Sequence, residues 1–115
     1  MDYKEFSVTS GMDGTQYECR FRNLITGIAP RHSDTVDIKF LANGKPIVVA
    51  LPLVALSEFR KRTGAALTDA EVIQIAALVL KGTLEKEGLG EDRMVVPPAE
   101  QTIALAEKVH SLVVG

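Results

Sequence analysis

Asp34-Thr35-Val36-Asp37-Ile38-Lys39-Phe40-Leu41-Ala42-Asn43-Gly44-Lys45-Pro46-Ile47-Val48-Val49-Ala50-Leu51 is the stretch that decides how this chain folds. At its middle, Asn43-Gly44 is the dipeptide favoured in a two-residue type I′ turn, whose central positions both require φ > 0. Counting outward from the turn pairs Phe40 with Ile47, Ile38 with Val49 and Val36 with Leu51, all on one face of a β-hairpin. Asp37 and Lys39 fall on the other face, opposite Ala50 and Val48. A slip of one residue would turn every large apolar side chain outward, so the register is strongly specified. The hairpin therefore belongs to a sheet with one buried face.

On the N-terminal side, Phe6 and Val8 alternate with Glu5, Ser7 and Thr9, which predicts a strand near residues 3–9. Gly11-Met12-Asp13-Gly14 is a turn cluster, and beyond it Tyr17, Cys19 and Phe21 alternate with charged or polar neighbours as a second half-buried strand. Residues 23–33, with Asn23, Gly27 and Pro30, read as a loop holding at most a short extended piece at Leu24-Ile25. On the C-terminal side, Pro52 ends the hairpin and suits the first turn of a helix reaching about Arg62. Arg60, Lys61 and Arg62 complement the dipole of its last turn, and Gly64 stops it. Thr68-Asp69-Ala70-Glu71 fits a capping box that opens a second helix. From Val72 to Leu80 only Gln74 is polar, so this helix is expected to be the most buried one, packed across the sheet, with Gly88 ending it. Gly88 to Pro97 reads as a loop of mixed charge. Pro97-Pro98 opens a third helix to about Val113, with Ile103, Ala106, Val109 and Val113 on one stripe. Strands followed by helices predict a single α+β domain over residues 1–115: two layers, with a four-stranded, mostly antiparallel sheet of two hairpins followed by three helices.

Composition narrows the function classes. A chain of 115 residues is one domain long, enough to bury roughly 65% of its unfolded surface without disulfides or metal. With 46% hydrophobic and 24% charged residues, disorder of the whole chain is excluded. Only 5% of the residues are aromatic and none is Trp, so the core is aliphatic and stacking platforms for bases are scarce. A net charge of −2 supplies no global field for nucleic acid or an anionic membrane. The single cysteine, Cys19, rules out an internal disulfide and fits a reducing compartment. The opening Met1-Asp2-Tyr3-Lys4-Glu5 is not a basic segment leading into an apolar run, and the longest apolar run is Ile75 to Leu80. A soluble, cytoplasmic protein without membrane association is expected.

No reaction centre is legible. Arg31-His32-Ser33-Asp34 gathers a base, a hydroxyl and a carboxylate, but adjacent residues in an extended chain alternate in direction and do not converge as a nucleophilic triad must. Cys19 lies on the apolar face of its strand, the setting of a packed core thiol. His32, His110 and Cys19 lack metal-ligand spacing, and none of the glycines forms a phosphate loop. The expectation is therefore no catalytic, cofactor-binding or metal-ligating residue, no cofactor, and a chain that leans away from being an enzyme. A small-molecule or enzymatic cleft would have only Tyr3, Tyr17, His32 and Cys19 to work with.

Two binding functions compete. The first is a protein-interaction or self-association module, with Val48 and Ala50 as interface residues, because they make the outer face of the hairpin apolar where a solvated face alternates to polar residues. Coverage of that face by the third helix is the alternative. The second rests on a resemblance. Lys45 to Pro52, then Leu53 to Arg62 with Leu56 and Phe59 inward, Gly64, and Glu71 to Leu84 resemble a ribbon–helix–helix DNA-binding module over residues 45–87. The resemblance implies a ribbon that pairs with its copy in a second subunit and reads base edges. Here its alternate positions are Val48 and Ala50, which offer no side-chain hydrogen bonds to base edges. Arg20, Arg22, Arg60, Lys61 and Arg62 would be the nucleic-acid contacts. The acidic balance makes nucleic acid the weaker partner and another protein, or a homodimer, the stronger one.

Overall fold

The computed structural model describes residues 3–27, 35–89 and 94–114. Its elements run β1 (Glu5–Thr9), β2 (Gln16–Gly27), β3 (Thr35–Ala42), β4 (Lys45–Pro52), α1 (Leu53–Thr63), α2 (Asp69–Glu87), β5 (Met94–Val95) and α3 (Ala99–Val114). The chain is α+β, with five strands in the order β1-β2-β3-β4-β5. The first four form an antiparallel meander, and β5 joins β4 in parallel.

The β3–β4 register is the one the turn dictates: Phe40 faces Ile47, Ile38 faces Val49, and Val36 faces Leu51. Asn43 (φ 52°) and Gly44 (φ 79°) both take the left-handed backbone that a type I′ turn needs. Asn43 also binds the neighbouring strand. Its Oδ1 accepts from Glu18 N–H at 2.8 Å, its Nδ2 donates to Gln16 O at 3.1 Å, and its own N–H donates to Glu18 O. One turn residue thus tethers β2 to the β3–β4 hairpin.

Two expectations need correction. The sheet has five strands rather than four, because Met94–Val95 pairs with Val48 and Val49 inside the stretch read as a loop. Two residues ahead of Pro-Pro leave no alternation to read, and parallel pairing leaves no turn signal. The second correction is that β2 continues to Gly27. A bulge between Phe21 and Asn23 leaves Arg22 unpaired and restores the alternation, so that Leu24 faces Ile38. Pairing with the long β3 overrides the turn propensity of Asn23 and Gly27.

The inner sheet face is apolar throughout: Phe6, Val8, Cys19, Ile38, Phe40, Val49 and Leu51 are buried. α2 lies across it, touching both β1 and β4, and buries Ile75, Ala76, Leu80 and Leu84 completely. Its capping box is formed, with Thr68 Oγ1 accepting from Glu71 N–H and the Glu71 carboxylate accepting from Thr68 N–H. α1 buries Ala55 and Phe59, and Gly64 closes it in the left-handed region. α3 packs on both helices through Ile103, Ala106 and Val109. Among the described residues no helix is long and apolar enough to cross a membrane.

All three helices meet at one polar contact. Glu71 Oε2, on a side chain 5% exposed, lies 2.9 Å from His110 Nδ1 of α3, and the Phe59 ring of α1 stands edge-on to the imidazole at 5.6 Å. The Thr68 backbone N–H bond holds the Glu71 carboxyl below its usual range, His110 adds to this, and burial opposes it.

Candidate interaction surface

The feature that separates this sheet from an ordinary solvated one is its β5 edge. β4 is hydrogen-bonded on both sides, by β3 and by β5, and among the described residues no strand pairs with the outer edge of β5. Edge strands carry unpaired backbone donors and acceptors and are usually short or charged. β5 is short, but its apolar side chains are open: Met94 is 50% exposed, and Val96 just beyond it is 58% exposed. Pro97, buried, and Pro98 have no N–H to extend the strand and lead directly into α3.

Behind this edge is a cavity of about 500 Å³ between β4, β5, the C-terminal half of α2 and the start of α3. Ile47, Val79, Met94, Val95 and Val96 give it apolar walls, and Thr83, Glu87 and Gln101 bring polar groups. Gly88, which also lines it, has a constrained backbone conformation. Gly88 has φ 71° and ψ −168°, a region open essentially to glycine alone. A Cβ there would lie 3.2 Å from the Tyr17 hydroxyl. That hydroxyl accepts from Leu89 N–H at 3.0 Å, and Gly11 N–H of the β1–β2 turn caps the Glu85 carbonyl at 2.8 Å. The end of α2 is thereby bonded to the β1–β2 hairpin. Tyr17→Phe, which leaves the Leu89 N–H without its acceptor, is expected to lower stability by about 1–2 kcal/mol. Urea titration of both proteins measures it, and an unchanged midpoint would show that the hydroxyl contributes nothing.

The residues singled out from sequence are distributed as follows. Val48 is half-buried and paired with Met94, so it belongs to the β5 edge, whereas Ala50 is 2% exposed and has almost no surface to offer a partner. Arg20 is exposed on the outer face and pairs with Glu5 at 3.6 Å; Arg22 is the exposed, unpaired residue of the bulge. Arg60, Lys61 and Arg62 sit at the end of α1 in the helical layer, with Arg62 on Glu58 at 3.1 Å and Arg60 lining a smaller cavity of about 270 Å³. The sheet lies between Arg20 and this trio, so these residues do not form one patch. β4 pairs with β3 along its length and with β5 at Val48 and Val49, so a ribbon formed with a second β4 through those two residues would displace one of these strands.

Cys19 is buried, and desolvation, aided by the nearby Glu18 charge, pushes its thiol up to about 11, which leaves little thiolate at neutral pH. No group of three or more His, Cys, Asp or Glu able to hold a metal occurs among the described residues. Arg31-His32-Ser33-Asp34 lies outside the described residues. Sequence reasoning did not single out Met94 and Val96 because their place at the sheet edge comes from the parallel pairing, and it missed the Glu71–His110 contact because the partners lie on different helices. A single hint was present: Val96-Pro97-Pro98 is an apolar, helix-incompatible step just before a helix. No family model, curated protein or solved structure matches this chain.

Proposed function

We propose that this chain is a non-enzymatic protein-interaction module that engages a second polypeptide, another copy of itself or a different protein, through the β4–β5 edge. The observation that carries this reading is the coincidence of an unpaired strand edge with two exposed apolar side chains, Met94 and Val96, beside a cavity. An extended segment added to such an edge gains main-chain hydrogen bonds, while alternate side chains enter the adjoining pocket.

Light scattering on the purified chain across a wide concentration range, together with selection of binding peptides from a random display library, tests it. The chain is expected to dimerise or to select peptides, and Met94→Lys combined with Val96→Lys is expected to abolish whichever is seen while leaving the circular dichroism unchanged. A chain that stays monomeric and selects no peptide overturns the reading. So does an association that the doubly charged variant retains in full.

A further inference from the structure

The cavity beside β5 has a chemistry of its own, and it is asymmetric. Its walls at Ile47, Val79 and Val95 are aliphatic, and among the described residues that line it the one charge is the Glu87 carboxylate. Glu87 belongs to the last turn of α2, where the helix dipole presents its negative end. Of the final carbonyls of that helix, Leu84 O is taken by Gly88 N–H and Glu85 O by Gly11 N–H; among the described residues no N–H donates to those of Lys86 and Glu87. Thr83 Oγ1 and Gln101 Oε1 add neutral acceptors, and among the described residues neither these nor Glu87 has a side-chain partner. The neighbouring Lys86 is not among the lining residues.

We infer that this cavity takes a lysine or arginine side chain carried on an extended segment of a partner polypeptide. The inference rests on the β4–β5 edge being the interaction surface. Both side chains combine an aliphatic stem with a cationic head, so the stem lies along Ile47, Val79 and Val95 while the head reaches Glu87 and the end of α2. A carboxylate side chain would meet the same negative end and be repelled; a purely apolar one would gain nothing from the Glu87 carboxylate.

The test uses the full chain and three blocked heptapeptides of alternating valine and threonine, with lysine, norleucine or glutamate at the centre, titrated by ¹⁵N–¹H NMR. The lysine peptide is expected to shift the amides of Thr83, Glu87, Met94 and Val96. The norleucine peptide is expected to bind about fivefold more weakly, equivalent to about 1 kcal/mol, and the glutamate peptide more weakly still. Glu87→Gln is expected to bring the lysine peptide to the level of the norleucine peptide. Norleucine binding as tightly as lysine at the same amides overturns the cation preference and leaves the interaction edge standing. Lysine binding untouched by Glu87→Gln does the same. Failure of all three peptides to shift these amides overturns the inference, and the tests of the edge then separate its failure from that of the edge: a dimer that Met94→Lys with Val96→Lys dissociates, or a monomer that selects other peptides from the display library, retains the edge, and a monomer that selects none removes both.

Discussion

Replacing Phe40 by alanine is expected to lower the free energy of unfolding by about 3–5 kcal/mol. Phe40 is fully buried on β3, the middle strand, and its ring meets those of Phe6 and Phe21 edge-on at 6.0 and 6.1 Å. β3 is hydrogen-bonded to β2 and β4 along its length, so the backbone cannot collapse into the space the ring vacates, and the cavity term adds to the transfer term. Against a total stability of about 5–15 kcal/mol for a domain this size, the loss is a large fraction. Urea denaturation followed by circular dichroism measures it, with Phe40→Leu expected to give an intermediate loss. A change well under 1 kcal/mol for alanine would mean that the Asn43-Gly44 turn does not set the register described above.

Glu71→Ala is expected to lower stability at pH 7 by about 2–3 kcal/mol, more than an ordinary helix cap contributes, because the same carboxylate also holds α3. Its Oε1 accepts from Thr68 N–H at 3.0 Å, and its Oε2 faces His110 at 2.9 Å. The folded-state pKa lies below the reference of 4.5, first through the Thr68 backbone bond. The carboxylate's stabilisation is therefore complete above that reference and disappears as pH falls through the folded-state value. The gap between wild type and Glu71→Ala should narrow in acid, because the wild type then loses its own charge. Glu71→Gln, which keeps an acceptor for Thr68 N–H but not the charge facing His110, should fall between the two at pH 7. Urea midpoints at pH 7 and pH 3 decide the matter; a gap of equal size at both would assign the effect of the alanine variant to lost packing alone.

What the residues alone made legible was whatever is specified by neighbours in sequence. The β3–β4 register follows from two residues of a turn and the period of two, and the Thr68–Glu71 box follows from a spacing of three. α2 could be placed across the sheet because Val72 to Leu80 leaves almost no polar face to expose. What resisted reading depends on partners distant in sequence. β5 is strand only because Val48 and Val49 lie beside it, and β2 reaches Gly27 only because a bulge at Arg22 realigns it with β3. Glu71 read as a cap, and nothing near it in sequence announced His110. The proposed interaction surface shares this dependence, since Met94 and Val96 become an edge only after two helices have brought them back to the sheet.

That return path has a kinetic meaning. β1 to β4 assemble as a meander from pairings between consecutive strands, whereas β5 can dock only after α1 and α2 have closed the long excursion between it and β4. A two-residue bridge formed last and held by few bonds is the natural first segment to come away, without disturbing the meander. Amide protons on the β5 side of β4 should then exchange with solvent well before those shared with β3. In the brief interval when β5 is away, β4 itself becomes the edge of the sheet, and a competing chain could occupy the place before β5 returns.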